Sequence, residues 1–422
     1  MLHILFPNLF PSLDESTEAF VAGPINSIRS NKIEGLDNLG PRYTWSERPA
    51  YLHLDAIEFK DIRGGIICYY NPPVHSVGNP GLDAYLEAIK IVSDNKGEFQ
   101  FLILYGGADP VHAGGDLKES LSKLDKTIET RKEMEAIGAQ AEDIDALFNW
   151  GDMRLEKGFA LYEAVRSLFE DVRLISLCGG GTRFGGSAEI ALMSDYLVGD
   201  SRSRMCFSEA MIGLIPGWSG VGRALTKAGL LNAKFMAMTS TEVKALQLRE
   251  IGVYNLVVEI PLPFPKLERT GDKEGDTGRY WDALQRHNDE TSLLLLPKAL
   301  ELGVCPKGDI PVLEEENRKK LSTVGEIAEQ VARRKDPETY RGLWEKPLAE
   351  VRERISTLGR PLAPQSIEAL EGLFSGYDPS RFSEKEFVRA EMEADARLYR
   401  DPRFMAEIIA TLEGKVANFK ED

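Results

Sequence analysis

Apolar residues in the first half of the chain follow two patterns, short uninterrupted runs and longer stretches spaced by three or four. Ile66-Ile67-Cys68-Tyr69-Tyr70 ends in Asn71-Pro72-Pro73, which predicts a strand closed by a turn. Residues Gly81 to Asp94 carry apolar side chains three and four positions apart, as in an amphipathic helix. Phe99 to Tyr105 is almost wholly apolar, which predicts a strand buried on both faces.

The same pattern returns after a glycine-rich turn. Gly106 to Gly115 follows the second strand, and Val172 to Cys178 forms a third apolar run. A second glycine-rich turn, Gly179 to Gly186, then opens into a helix around Glu189. Strand, glycine turn and helix therefore occur twice, which favours an α/β core of parallel strands joined by helical crossovers.

Periodicity and punctuation divide the chain into four segments. Residues 1–50 have weak periodicity and predict an irregular N-terminal extension, whereas residues 51–259 hold the alternating strands and helices of the core. Residues 260–360 predict a helical insertion, with one helix over Tyr280 to Leu296 that Pro297 stops. Residues 361–422 predict a helical C-terminal segment.

Charge narrows the range of partners. The net charge is −16 and the sequence pI is about 5.0, so we expect no nucleic-acid partner. No apolar stretch reaches the roughly 18 residues of a membrane span, so we expect no membrane partner and a cytoplasmic protein. The four cysteines and five histidines lack the close spacing of metal ligands, so no metal site is predicted.

Each glycine turn leads towards the start of a helix, where backbone N–H groups lack intrahelical acceptors. Two such turns from neighbouring parallel strands can direct one N–H each at a single oxygen, as in an oxyanion hole. Alternatively, the glycines only permit tight turns and close packing.

Glu189 and Glu209 stand among mostly apolar or small residues, where a carboxylate is costly unless it is paired or used. A buried carboxyl pair can divide protons in the way that acid and base chemistry near neutral pH requires. A solvated residue or a structural ion pair is the alternative for either glutamate taken singly.

Three ordered motifs resemble those of one enzyme family. His112-Ala113-Gly114-Gly115-Asp116-Leu117-Lys118-Glu119 resembles A-G-A-D-L-K-E, and Gly185 to Asp195 resembles G-G-G-C-E-L-A-M-x-C-D. Glu209 to Gly220 resembles P-E-x-x-x-G-x-x-P-G-x-G-G, and Ala245 to Val258 resembles the helical close of that family's core. From these motifs the chain is identified as a member of the crotonase (enoyl-CoA hydratase/isomerase) superfamily.

This resemblance implies a crotonase-like spiral of ββα and βαβ units with a helical C-terminal segment and large insertions. It implies that the substrate is an acyl-CoA thioester, with coenzyme A as part of the substrate and no other cofactor. It also implies homotrimers or homohexamers, with residues 361–422 as the trimerisation segment.

The motifs carry roles onto particular residues. By resemblance, Ala113 and Gly186 donate the two oxyanion-hole N–H groups, and Glu189 and Glu209 are the acidic pair of the hydratases. The remaining substrate-binding positions implied are His75, Val77, His112, Gly114, Asp116, Lys118, Gly185 and Trp218. Trp218 replaces a small residue of the family and would either narrow the acyl pocket or present a flat wall to a ring.

Both carboxylates together favour a hydro-lyase that adds water across the 2,3 double bond of an enoyl-CoA. Two alternatives within the family are hydrolysis of a C–C bond in a cyclic oxo-acyl-CoA and cofactor-free oxygenation of an aryl-acetyl-CoA. Outside it, Gly179-x-Gly181-x-x-x-Gly185 loosely matches a dinucleotide loop, but it falls late in the core. Neither Ser187 nor Ser219 lies in G-x-S-x-G, which disfavours a serine hydrolase, and a silent scaffold would not need both carboxylates.

Overall fold

The computed structural model describes residues 51–71, 74–266, 268–336, 360–401 and residue 404. The predicted N-terminal extension, residues 337–359 and the residues after 404 lie outside these ranges. The strands are β1 (Tyr51–Phe59), β2 (Ile62–Tyr70), β3 (Phe101–Tyr105), β4 (Val111–His112), β5 (Arg173–Cys178), β6 (Thr182–Phe184), β7 (Tyr196–Asp200), β8 (Arg204–Cys206), β9 (Val243–Lys244) and β10 (Leu256–Val258).

Two sheets form. The larger has the order β1-β2-β3-β5-β7-β10, and the smaller has the order β4-β6-β8-β9. In the larger sheet β1 and β2 form an antiparallel hairpin, and every other neighbouring pair is parallel. Lys60 and Asp61 close the hairpin with φ of 50° and 60°, the left-handed pair that a tight two-residue hairpin turn uses. The predicted α/β core of parallel strands is confirmed, and β1 is an addition to it.

Twelve α-helices connect and cover these strands in the described part of the chain. They are α1 (Asn79–Asp94), α2 (Leu117–Ala136), α3 (Ala141–Asp145), α4 (Asn149–Ser167), α5 (Gly186–Leu192), α6 (Gly220–Ala228), α7 (Leu230–Thr239), α8 (Ala245–Glu250), α9 (Lys273–Val304), α10 (Val324–Lys335), α11 (Pro364–Ser375) and α12 (Glu384–Leu398). None of them is long and apolar enough to cross a bilayer.

Strand β3 separates the two apolar cores. Leu102 and Leu104 face the larger core, whereas Phe101, Ile103 and Tyr105 face the smaller one. All five residues are buried, which confirms the prediction of a strand covered on both faces.

Helix α9 covers the second face of the large sheet and corrects the prediction that Pro297 ends a helix. It runs through Pro297 and packs on β3, β5 and β7. Leu295, Leu296 and Leu300 are buried there against the sheet. Burial of these side chains outweighs the backbone hydrogen bond that proline cannot make.

The predicted helix over Ala245 to Val258 is also wrong in its second half. Helix α8 ends at Glu250, and Gly252 then adopts a φ of +88°, which a helix cannot continue through. Leu256 to Val258 instead forms β10, parallel to β7. The two β-branched valines are suited to that strand.

Candidate active site

A cavity of about 360 Å³ lies where the two glycine turns meet the C-terminal helices. Its lining includes both turns, both predicted glutamates, Trp218 and Asp395. The helices that reach it come from distant parts of the sequence, since α4 supplies Arg154 and α12 supplies Asp395.

The two glycine turns touch each other at this cavity. A Cβ on Gly114 would lie 2.7 Å from the Gly186 nitrogen and 2.9 Å from the Phe184 oxygen, so only glycine fits there. The smaller sheet holds this arrangement because β4, a short strand within the first turn, pairs in parallel with β6, a short strand within the second. Gly185 has a φ of +46° and lets the chain turn sharply from β6 into α5.

The two predicted oxyanion donors differ in this conformation. Gly186 is the first residue of α5, a position whose N–H has no acceptor within the helix. The Ala113 N–H instead donates to the Val74 carbonyl at 2.5 Å. One donor is therefore engaged by the protein's own backbone.

Glu189 is buried in the first turn of α5 and faces the loop before α6. Its Oε2 accepts the Trp218 N–H at 2.7 Å and the Gly220 N–H at 2.9 Å. A Cβ on Gly220 would lie 2.8 Å from Glu189 Cγ, so the loop approaches closely only because this residue is glycine.

Glu209 reaches the same cavity from the segment after β8 and lies against Gly185 of the second glycine turn. It begins a short 3₁₀ turn, Glu209–Met211, and a Cβ on Gly185 would lie 2.5 Å from its Oε1. Its Oε2 is buried without a hydrogen-bond partner among the described residues. One carboxyl oxygen is therefore available to a ligand.

Burial governs the protonation of this pair. Desolvation raises the pKa of Glu189 to about 7, although the N–H groups of Trp218, Gly220 and Gly217 favour its charged form. Desolvation and the neighbouring Glu189 raise the pKa of Glu209 well above its usual range. Near neutral pH, Glu189 is therefore the group of the two that ionises, and Glu209 holds a proton.

Two further buried carboxyls on α12 hold the loop that binds Glu189. Glu391 accepts the Val221 N–H at 3.1 Å and the Gly222 N–H at 2.9 Å, at the start of α6. Asp395 accepts the Ile215 N–H at 2.9 Å. Helix α12 therefore fixes both ends of the segment whose N–H groups contact Glu189.

Comparison with known proteins agrees with this geometry. The sequence profile of the enoyl-CoA hydratase/isomerase family matches residues 154–260. The enoyl-CoA isomerase/hydratase fer4 of Mycosarcoma maydis is 33% identical over 78 residues, 18% of this chain and 28% of that protein. The short-chain-enoyl-CoA hydratase of Clostridium acetobutylicum is 34% identical over 79 residues, 19% of this chain and 30% of that protein. The chain thus spans less than a third of the length of these curated relatives.

The fold extends the likeness beyond that segment. The crystal structure of an enoyl-CoA hydratase from Rhodobacter sphaeroides aligns with a TM-score of 0.50 at 14% identity, over 85% of this chain and 90% of that one. Residues 154–260 of the chain are therefore similar to the crotonase (enoyl-CoA hydratase/isomerase) superfamily, in agreement with the family predicted from the three motifs. The predicted crotonase-like fold is confirmed.

The crotonase motifs bring most of the predicted site together. The predicted residues that line the cavity are Ala113, Gly114, Gly185, Gly186, Glu189, Glu209 and Trp218. Trp218 is buried, and its indole lies against Gly158 and Gly186, where a Cβ would approach ring atoms to 2.2 Å and 2.5 Å. The large Trp218 side chain therefore forms a flat wall of the cavity that packs on two glycines.

Three predicted substrate contacts need correction. The side chains of His75, Val77 and His112 are 2% exposed and line a separate cavity of about 40 Å³. His75 Nε2 lies 2.7 Å from Asp109 Oδ2, and the His75 ring stacks on His112 at 5.0 Å. These three side chains are packed in the core and lie outside the lining of the larger cavity.

Two other predicted positions stand at the start of α2, outside the lining of the larger cavity. Asp116 caps this helix by accepting the N–H groups of Lys118 at 2.9 Å and Glu119 at 3.1 Å. The Lys118 side chain is exposed, and its contact with a CoA phosphate stays a prediction.

Sequence reasoning missed Arg154, Glu391 and Asp395. Each is a charged residue on the buried face of a helix, and that mismatch with amphipathic periodicity was the available signal. Glu391 and Asp395 lie four positions apart, on the face that carries Val388, Ala394 and Leu398.

Proposed function

We propose that this protein is an acyl-CoA enzyme that adds water across the 2,3 double bond of an enoyl thioester. The observation that carries the proposal is the placement of two buried carboxyls, Glu189 and Glu209, at a cavity beside two touching glycine turns. The curated relatives named as enoyl-CoA hydratases or isomerases support the substrate class.

The division of protons between the glutamates suits this chemistry. Glu189, the group that ionises near neutral pH, takes a proton from water as the water oxygen bonds to Cβ. The electron pair of the double bond moves towards the thioester, and the resulting enolate oxygen accepts backbone N–H groups. Glu209 gives its proton to Cα, so that the product gains the atoms of one water.

Binding of the thioester requires one local exchange. The Gly186 N–H is open to an oxygen at the start of α5, but the Ala113 N–H is held by the Val74 carbonyl. The thioester oxygen must replace that carbonyl for both N–H groups to contact it. The exchange costs little because one hydrogen bond replaces another.

Product analysis with the full chain tests the proposal. Incubation with 2-butenoyl-CoA in ¹⁸O-labelled water should give 3-hydroxybutanoyl-CoA carrying one labelled oxygen at C3. A shifted double bond without label would identify an isomerase. Ring opening of a cyclic oxo-acyl-CoA, or oxygen uptake with an aryl-acetyl-CoA, in the absence of labelled hydroxyacyl product would replace hydration by the corresponding alternative.

A further inference from the structure

Arg154 is a buried cation at the acyl-CoA cavity whose partners are all uncharged. Its side chain projects from α4, is 2% exposed and lines the cavity. Nη1 donates to Ser120 Oγ at 2.6 Å and to the Asp116 carbonyl at 3.3 Å, and Nη2 donates to the Val77 carbonyl at 3.0 Å. In the described ranges Arg154 forms no salt bridge.

One donor of this guanidinium is unused. The Nε of Arg154 is buried and has no hydrogen-bond partner among the described residues. An unpaired buried donor on a charged group is costly, and at the lining of a cavity a bound ligand can supply the missing acceptor. Arginine carries five N–H donors and accepts none, so its missing partner must be an acceptor, and oxygen is the usual one.

The neighbouring loop is adapted to this arginine. A Cβ on Gly115 would lie 2.7 Å from Arg154 Nη2 and 3.9 Å from Nε. The family motif A-G-A-D-L-K-E has alanine at this position, whereas this chain has glycine. Since three hydrogen bonds fix the guanidinium, a methyl group there would displace it.

The remaining surroundings place this donor in the acyl part of the cavity. The guanidinium carbon lies 5.6 Å from the centre of the Trp218 ring, and Trp218 also covers Gly186 of the oxyanion turn. A ligand group at Arg154 would thus lie beside the indole wall.

We propose that the acyl group of the substrate carries a second oxygen acceptor, an oxo or carboxylate oxygen, which Arg154 binds. The inference rests on the proposed acyl-CoA function and names the substrate class of the same site. Plain aliphatic acyl groups leave Arg154 Nε unpaired and are disfavoured for that reason.

The binding of ligands that cannot react tests the proposed role of Arg154 independently of the catalysed reaction. Calorimetric titration of the full chain compares pentanoyl-CoA, 4-oxopentanoyl-CoA and glutaryl-CoA, which are saturated at C2 and C3 and cannot add water. At least one of the two oxygen-bearing ligands should bind about ten-fold or more tightly than pentanoyl-CoA. Which of them is preferred identifies the oxygen as oxo or carboxylate.

Three variants assign the preference to this residue. Arg154→Met should abolish the preference, measured as the ratio of the affinities for the oxygen-bearing ligand and for pentanoyl-CoA. Gly115→Ala keeps the arginine but displaces its guanidinium, so this variant should weaken the preference. If Arg154→Met does not fold, Gly115→Ala tests whether the preference depends on Arg154. Lys157→Met is the matched control one turn further along α4, where the side chain pairs with Asp83 at the surface, and it should keep the full preference.

Equal affinity for all three ligands in the unmodified chain would overturn the proposal. So would a preference that persists in Arg154→Met. If the chain adds water to 2-pentenoyl-CoA but shows no preference for the oxygen-bearing ligands, the proposed role of Arg154 is refuted and the hydratase function stands. A preference dependent on Arg154 without water addition would refute only the hydratase function.

Discussion

Glu189 Oε2 accepts the backbone N–H of Trp218 at 2.7 Å, which joins the predicted base directly to the residue that forms the cavity wall. The same oxygen accepts the Gly220 N–H, so the loop stabilises the carboxylate that burial would otherwise neutralise. The position and protonation of Glu189 and the shape of the cavity therefore depend on one short segment, Gly217 to Gly220.

The pH dependence of kcat/KM for water addition should be bell-shaped. Activity should rise as pH increases through about 7, where Glu189 loses its proton and becomes the base. It should fall at higher pH, where Glu209 loses the proton that it must donate. Steady-state rates with 2-butenoyl-CoA across this range measure both limbs. A flat profile through neutral pH would contradict the assignment of base and acid.

Stability should fall as pH rises, because burial raises the pKa of Glu391 and its neighbours in the folded state. Between the ordinary and raised pKa values the folded chain binds more protons than the unfolded chain. Each such proton lowers the free energy of unfolding by about 1.4 kcal/mol per pH unit. Urea unfolding across pH 5 to 8 should show this fall, and Glu391→Gln should reduce it.

Glu393→Gln is the matched control on α12, since Glu393 is exposed and should leave the slope unchanged. An equal slope in the Glu391 variant and in the unmodified chain would show that Glu391 is ionised in the folded state.

Because the Trp218 ring packs directly on Gly158, we expect that no other residue is tolerated at position 158. A Cβ on Gly158 would lie 2.2 Å from Trp218 Cδ1, so Gly158→Ala should destabilise the fold by about 1–3 kcal/mol and disturb the cavity wall. Gly372→Ala is the control in α11, where a Cβ meets nothing within 4 Å. There alanine should stabilise by about 0.5–1 kcal/mol through helix propensity. Equal melting temperatures for both variants would contradict the packing described for Trp218.

The engaged N–H of Ala113 predicts a local rearrangement on ligand binding. A crystal structure with bound butanoyl-CoA should show the Ala113 nitrogen and the Val74 oxygen beyond 3.5 Å, with the thioester oxygen taking the place of that carbonyl. If the 2.5 Å contact persists while the thioester is bound, Ala113 is not an oxyanion donor in this enzyme.

Local signals in the sequence predicted the parts of the molecule that local physics determines. The uninterrupted apolar run of β3 predicted a strand buried on both faces, and the glycines predicted tight turns. Glu189 and Glu209 could be predicted as site residues because a carboxylate among apolar residues is costly unless it is paired or has a chemical role. Helix α9 escaped prediction because its packing on the sheet, which no local pattern records, outweighs the break expected at Pro297.

The parts of the site that depend on contacts between distant residues could not be predicted, because no local pattern records such contacts. The hydrogen bond between the Ile215 N–H and Asp395 joins residues 180 positions apart, and no spacing in the sequence predicts it. The resemblance that placed His75 and His112 at the substrate does not reveal that the two rings stack on each other in the core. Arg154 lies between the motifs, and its unpaired Nε is seen only in the structure.

The most direct test of the account is the rate at which the absorbance of the conjugated enoyl thioester is lost in Glu189→Gln and Glu209→Gln, with Glu393→Gln as control. Each site variant should lose at least about 100-fold in kcat with its fold intact, because each removes one proton-transfer group. The control should keep full activity. If either site variant adds water as fast as the unmodified chain, the carboxyl pair is not the catalytic centre.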